Sequence, residues 1–346
     1  MSPFAMQSLK PWNTFRLDAS AHRITVVHSI EELCQNWRSS EQSGEPVLVL
    51  GEGSNVLFIA DFTGHIIINR IKGIHVEISD KAWRLHVGAG ENWHQLVEYT
   101  LAQGYAGLEN LAMIPGNAGA APIQNIGAYG VELEQVCEYV DVVYLTDGTK
   151  KRVPAAECEF GYRDSIFKHN HRDKCVITGI GLELNKAWQP VLTYGELTKL
   201  NASTVTPRQI YDTVCQIRRN KLPDPLITGN AGSFFKNPII TNQHAALLKT
   251  SYPTIPCFPQ STGEVKVAAG WLIEQCSLKE LRCGGAAIHQ QQKLILINAK
   301  NATGQDIVAL ARQIRHCVGE TFDVWLEPEV RFIGPQGEVN AIEVLA

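Results

Sequence analysis

The chain has 346 residues, 45% apolar and 19% charged, the proportions of a globular protein with room for two or three domains. A net charge of −4 offers no basic footprint for general nucleic-acid binding, and no apolar run reaches membrane-spanning length. The opening MSPFAMQSLK lacks the apolar core of a signal peptide, and the nine cysteines include no C-x-x-C pair, so reduced thiols in cytoplasm and no metal site are expected.

Residues 24–27 are predicted as a strand, and Ser29 with Glu32 as the capping box of a helix running through Trp37. The next strand, 47–50, completes a compact strand–helix–strand start and ends on the glycine run 51–57, GEGSNVL. Residues 66–68 and 83–87 read as strands, while 91–103 places Trp93, Leu96, Val97, Thr100 and Leu101 on one helical face. A longer glycine run follows at 114–130, IPGNAGAAPIQNIGAYG. Strands are predicted at 139–145, with a hairpin turn at 146–149, and at 176–184. The less patterned 186–203 contains Tyr194.

Thr206, Pro207 and Gln209 then open a helix with the buried stripe Ile210, Val214 and Ile217. Arg218, Arg219 and Lys221 at its C-terminal end suit the macrodipole, and a domain boundary is expected near there. Later elements are a helix at 267–275, a strand at 294–298, and a helix from 304 to 318 with Gly319 just past its end. Short strands are expected around 324–332 and 339–344. This mixed order points to α+β.

Glycine accepts φ > 0 and lets backbone approach a ligand, and successive free N–H groups form an anion site without lysine or arginine. One glycine-rich run is first of all a loop. Two such runs, one directly at a strand end, point to a phosphate-bearing cofactor, although neither matches G-x-G-x-x-G or a P-loop.

Three further clusters hold chemistry. In 160–166, FGYRDSI, Arg163 is either half of a structural ion pair with Asp164 or a fixed fork for a carboxylate. In 229–238, GNAGSFFKNP, Ser233 precedes two aromatics, Lys236 and Asn237; there is no G-x-S-x-G elbow, and taken alone it is a turn or N-cap serine. In 325–330, WLEPEV, Glu327 and Glu329 share a side if the segment is extended. Such acids are usually solvated, but one held in an apolar site beside Trp325 and Val330 has a raised pKa and can donate a proton.

Eight motifs occur in order along the chain: Asn13-Thr14-Phe15, GEGSNVL, IPG…IQNIGAYG, GYRDSIFK, KLPDP (221–225), NAGSFFKNP, AAGWLI (268–273) and WLEPEVRF (325–332). With them the chain resembles the UDP-N-acetylenolpyruvoylglucosamine reductases, flavoenzymes of bacterial cell-wall synthesis, over nearly its whole length. The segment around Tyr194 resembles the enterobacterial-type branch, whose tyrosine loop folds over the bound nucleotide.

The resemblance implies an α+β chain with an FAD-binding region of the vanillyl-alcohol-oxidase (PCMH) type and a C-terminal α+β substrate-binding lobe. It divides the chain into 1–72 (joined by 330–346), 73–222 and 223–329. It implies NADPH-dependent, FAD-mediated reduction of UDP-N-acetylglucosamine enolpyruvate to UDP-N-acetylmuramate, a peptidoglycan precursor needed for cell shape and division. A monomer is the family expectation, with no nucleic-acid or membrane partner.

By family position Arg163, Ser233 and Glu329 are the catalytic set, and Tyr162, Tyr194, Lys221, Asn237 and Gln292 hold the UDP-sugar. FAD would lie on Gly51, Gly53, Ser54, Asn55, Pro115, Gly116, Gly119, Ala120, Gln124, Asn125, Gly127 and Ala128. One departure is Asn117-Ala118-Gly119-Ala120-Ala121, where family members carry serines or further glycine; backbone donors must suffice there. The competing expectations are a flavin oxidase of a sugar or hydroxy acid, reduced by its substrate instead of NADPH, and a non-catalytic nucleotide-sugar binder. Loss of a catalytic residue would mark the binder, and all three are present.

Overall fold

A computed structural model describes residues 5–169, 171, 174–260, 262–278 and 280–346; of the ten residues read for a signal peptide, 1–4 lie outside these. The chain forms two compact units, each assembled from separate stretches. Unit I is Arg23–Glu52 with Gly64–Asn220, and unit II is Met1–His22, Gly53–Thr63 and Lys221–Ala346.

Unit I is built on a five-stranded antiparallel sheet in the order Lys150–Pro154, Cys137–Tyr144, Cys175–Asn185, Ala82–Gly88, Ile74–Ile78. Helix α1 (Ile30–Ser43) is capped by Ser29, whose hydroxyl accepts from the Glu32 N–H at 3.1 Å. The Glu32 carboxylate reaches the His28 N–H instead of closing a capping box on Ser29. The helix continues past Trp37 because nothing breaks it before Gly44, which takes φ +67°. Val47–Leu50 pairs in parallel with Phe62–Asn69, which lies between it and Ser20–Val27, so the start is not the expected compact strand–helix–strand unit.

Helix α2 (Trp93–Ala102) begins at Asn92, whose side chain caps the Gln95 N–H, and buries the Trp93, Leu96, Val97 and Thr100 stripe. Helix α3 (Pro207–Lys221) buries Ile210, Tyr211, Val214, Cys215 and Ile217. Leu85, Val87, Val140, Ile180 and Leu182 from the sheet join both stripes in one core.

Unit II holds a four-stranded sheet ordered Gly229–Ser233, Ile295–Asn298, Ala286–Ile288, Arg282–Cys283. Two three-stranded sheets accompany it, and in one of them Arg331–Gly334 pairs in parallel with Val56–Phe58. Helix α4 (Asn242–Ser251), absent from the sequence reading, is capped by Thr241. Helix α5 is Ala269–Gln275, shorter than expected because Val265–Val267 is a strand.

Helix α6 (Gly304–Phe322) has a full Thr303/Asp306 capping box and runs through Gly319 to Asp323, which takes φ +53°. Gly319 is therefore not the helix stop. A β-carbon there would lie 2.7 Å from the Trp325 ring, so glycine makes room for the indole. Residues 339–344, expected as strand, divide into the end of strand Gly337–Val339 and a short helix α7 (Ala341–Val344) capped by Asn340. Among the described residues no helix is long and apolar enough to cross a membrane.

Candidate functional site

Each unit gathers its own part of the predicted site. In unit I, Gly51 at the start of the shorter glycine run meets the longer run. The Cα of Gly51 packs on the Asn117 side chain, where an added β-carbon would sit 3.4 Å from it. Gly90 takes the Ile71 carbonyl at 2.7 Å, and Gly119 takes the Ala89 carbonyl at 2.9 Å. A β-carbon on Gly119 would stand 2.5 Å from that of Ala89, so this glycine is required by backbone packing.

The longer run is not an open loop. Residues Ala118–Gln124 form a 3₁₀ helix, and Gly127–Ala128 pairs with Val131–Glu132 in a small hairpin. The N–H groups of Ala118, Gly119 and Ala120 are bonded to the carbonyls of Glu91, Ala89 and Asn117. Pro115 is exposed, and the Gly116 carbonyl accepts from Trp93 at 2.9 Å. Asn125, at φ +43°, commits its side chain to Glu132, Gly161 and Glu134.

The shorter run differs. The amides of Glu52, Gly53 and Ser54 donate to no other group among the described residues. Open backbone donors are what a pyrophosphate requires, so the residues of the shorter run fit FAD. The buried Oδ1 of Asn117 also lacks a donor among the described residues. That orphan acceptor is a signal the sequence reading missed.

Arg163 occupies the tip of a tight hairpin in which Gly161 and Asp164 exchange both backbone bonds, at 3.1 and 3.2 Å. It takes φ +55°, a strained conformation for a non-glycine residue, of the kind found at functional sites. Asp164 accepts from His169 at 2.8 Å, and the Arg163 Nη2 donates to the Gly127 carbonyl at 3.2 Å. The guanidinium is thereby aimed at the glycine run. Ser165 donates to the Ile123 carbonyl at 2.7 Å and Lys168 to that of Arg163 at 3.0 Å, completing the attachment. Tyr162 stacks beneath the guanidinium, 5.5 Å from ring centroid to Cζ.

Tyr194, 55% exposed, lies edge-on to Tyr129 with ring centroids 6.0 Å apart. Its segment is tied down on both sides: Asn110 donates to the carbonyls of Tyr129 and Val191 at 2.9 Å each, and Trp188 donates to Glu109. Arg218 was read as a helix-end cation. It turns inward beside Tyr129, whose hydroxyl pKa is raised by burial, while burial lowers that of Arg218. The helical spacing of 211, 214 and 218 was the available signal, because it puts Arg218 on the buried stripe.

In unit II, Ser233 ends its strand, exposed, after an irregularity in the pairing at which Gly232 takes φ +72°. It is neither an N-cap nor a simple turn residue. Residues 327–329 pair antiparallel with 234–236: the Glu329 N–H donates to the Phe234 carbonyl at 2.8 Å and the Lys236 N–H to that of Glu327 at 2.9 Å. The acid and the serine are thus carried on adjacent extended segments. Glu327 is exposed, 3.6 Å from the Lys236 ammonium, whereas Glu329 is half-buried. Trp325, expected beside the acid, instead lays its ring on α6 against Gly319, His316 and Arg315.

Asn237 caps the first N–H of α5 at 3.0 Å. Gln292 lies in the turn before Ile295–Asn298, where its N–H donates to His289 at 3.2 Å. Lys221 is exposed at the end of α3.

Known proteins resemble the chain along nearly its whole length. A family model described as the UDP-N-acetylenolpyruvoylglucosamine reductase C-terminal domain matches residues 224–333, and an FAD binding domain model matches 21–153. The reductase of that name from Escherichia coli (strain K12) is 58% identical over 98% of this chain and 99% of its own. That from Salmonella choleraesuis (strain SC-B67) is 57% identical over the same shares. The crystal structure of the enzyme from Thermus caldophilus superposes with a TM-score of 0.64 at 25% identity, covering 95% of this chain and 98% of that one. The α+β class with an FAD-binding domain is therefore as expected, and the chain belongs to the UDP-N-acetylenolpyruvoylglucosamine reductase family.

Proposed function

We propose that this chain reduces UDP-N-acetylglucosamine enolpyruvate to UDP-N-acetylmuramate, with NADPH as reductant and bound FAD. The observation that carries this reading is the 58% identity, across 98% of the chain, to the E. coli enzyme of that name. When bound, FAD would supply the hydride relay between nicotinamide and substrate. Its pyrophosphate is assigned to the amides of the 51–55 run, and the rest of the cofactor to Pro115, Gly116, Gly119, Ala120, Gln124, Asn125, Gly127 and Ala128.

The remaining chemistry belongs to side chains. Saturating the enol ether takes hydride at C3 and a proton at C2, and negative charge builds on C2 and its carboxylate in between. Fixed donors aimed at that charge are the largest catalytic contribution available. Arg163, whose fork suits a carboxylate, is given this role, with Glu329 as a second hydrogen-bond donor when protonated. Ser233 delivers the proton to C2; a serine hydroxyl is a weak acid, so the carbon it protonates must be strongly basic. Tyr162, Tyr194, Lys221, Asn237 and Gln292 hold the nucleotide sugar. The reaction is placed in the cytoplasm of a monomeric protein. The three-part division at 72, 222 and 330 is retained as a functional subdivision.

The test follows NADPH absorbance with and without UDP-N-acetylglucosamine enolpyruvate. Consumption that requires this substrate and yields UDP-N-acetylmuramate in equal amount is expected. NADPH oxidation that ignores the substrate, or flavin reduced by a sugar or hydroxy acid in place of NADPH, would overturn the reading.

A further inference from the structure

Arg70 follows the strand Phe62–Asn69 and was assigned no role by its sequence context. Its Nη1 donates to the Gly51 carbonyl at 2.9 Å and to the Asn69 carbonyl at 3.1 Å. It is half-buried, and burial lowers its pKa from the usual arginine value. The Gly51–Glu52 peptide is planar and trans, so a carbonyl pinned toward Arg70 sends the Glu52 N–H to the opposite side. That N–H is the first of the three amides without an acceptor among the described residues.

The peptide is held from its other end as well. Asn92 Nδ2 donates to the Glu52 carboxylate at 2.8 Å, while the Asn92 Oδ1 caps α2. The main chain of Arg70 is itself wedged against Gly90, where a β-carbon would stand 2.5 Å from the Arg70 Cα.

We propose that Arg70 is a positioning residue for the cofactor. By fixing the Gly51 carbonyl it aims the Glu52 amide, which is itself a phosphate donor, at the FAD pyrophosphate. The inference rests on the assignment of the pyrophosphate to the 51–55 run and adds two groups to it, the Glu52 N–H and the guanidinium behind it. Without the guanidinium the Gly51–Glu52 peptide is free to rotate, and the Glu52 amide loses its fixed direction.

The test compares dissociation constants of FAD and of riboflavin, which lacks the pyrophosphate. Both are titrated into the full-length chain after flavin removal, for wild type, Arg70→Met and Arg70→Lys, alongside urea midpoints. Wild type should bind FAD far more tightly than riboflavin. Arg70→Met should lose about ten- to a hundredfold of its FAD affinity with riboflavin unchanged. Arg70→Lys keeps the charge but not the planar fork and should lose about fivefold; it carries the same comparison if the methionine variant does not fold.

Variants that keep wild-type FAD affinity, or that lose FAD and riboflavin equally as stability falls, would overturn the role given to Arg70. A wild-type chain that binds FAD no more tightly than riboflavin would overturn the pyrophosphate assignment itself, and this inference with it.

Discussion

The Asn55 side-chain amide donates to the Glu329 carbonyl at 3.2 Å, and the Asn55 carbonyl accepts from the Arg331 N–H at 3.1 Å. The end of the shorter glycine run and the acid-bearing segment are therefore one structural piece within unit II. Asn55→Ala removes the first of these bonds. We expect a loss of about 1 kcal/mol of stability, with a lower kcat because the Glu329 backbone is no longer anchored. Urea unfolding and steady-state kinetics check this, and an unchanged kcat would separate Asn55 from the acid.

Arg163 combines a strained backbone with a side chain aimed at Gly127. Arg163→Lys keeps the charge and loses the fork, and should lower kcat/KM for the enolpyruvyl substrate by about ten- to a hundredfold. Flavin reduction by NADPH should change little. Wild-type turnover in this variant would count against carboxylate clamping.

Gly119 touches Ala89 so closely that a methyl group has no space. Gly119→Ala should cost about 1–3 kcal/mol by overpacking, measured by urea unfolding of the flavin-free chain. Stability equal to wild type, with only flavin affinity changed, would return this glycine to the ligand-contact role given by the sequence.

His65 is fully buried, with Nδ1 2.9 Å from the Ser40 hydroxyl and Nε2 2.8 Å from that of Thr25. Burial, aided by the nearby Arg23, pushes its pKa down to about 4 from 6.5. A depressed histidine pKa means the folded state prefers the neutral ring. Its contribution is fully present above the unfolded value and is lost as pH falls from there through the folded value. Wild type should lose up to about 3 kcal/mol over that window, and His65→Asn should show a flatter profile from a lower starting stability. Parallel profiles for the two proteins would remove His65 as the cause.

Much of the site was legible because its motifs are contiguous: GEGSNVL, GYRDSIFK and WLEPEVRF each bring several functional groups in one short stretch. The caps at Ser29, Asn92 and Thr303 likewise follow local rules. What escaped the sequence depends on partners distant along the chain. Gly319 looked like a helix stop because its real constraint, the Trp325 ring, belongs to the next segment. Arg218 looked like a dipole cation because Tyr129 lies far from it in sequence. The glycine at 119 suggested an open amide, yet its bond to the Ala89 carbonyl, outside the run, closes this part of it.

The central claim is that Ser233 serves the substrate half of the reaction. The most direct measurement reduces wild type and Ser233→Ala anaerobically with NADPH, removes the excess, and adds UDP-N-acetylglucosamine enolpyruvate in a stopped-flow cell. Wild type should regain oxidised-flavin absorbance quickly, with UDP-N-acetylmuramate in the quench. The alanine variant should reduce normally and reoxidise about a hundred- to ten-thousandfold more slowly. Equal slowing of both half-reactions, or reoxidation of the variant at the wild-type rate, would contradict the account.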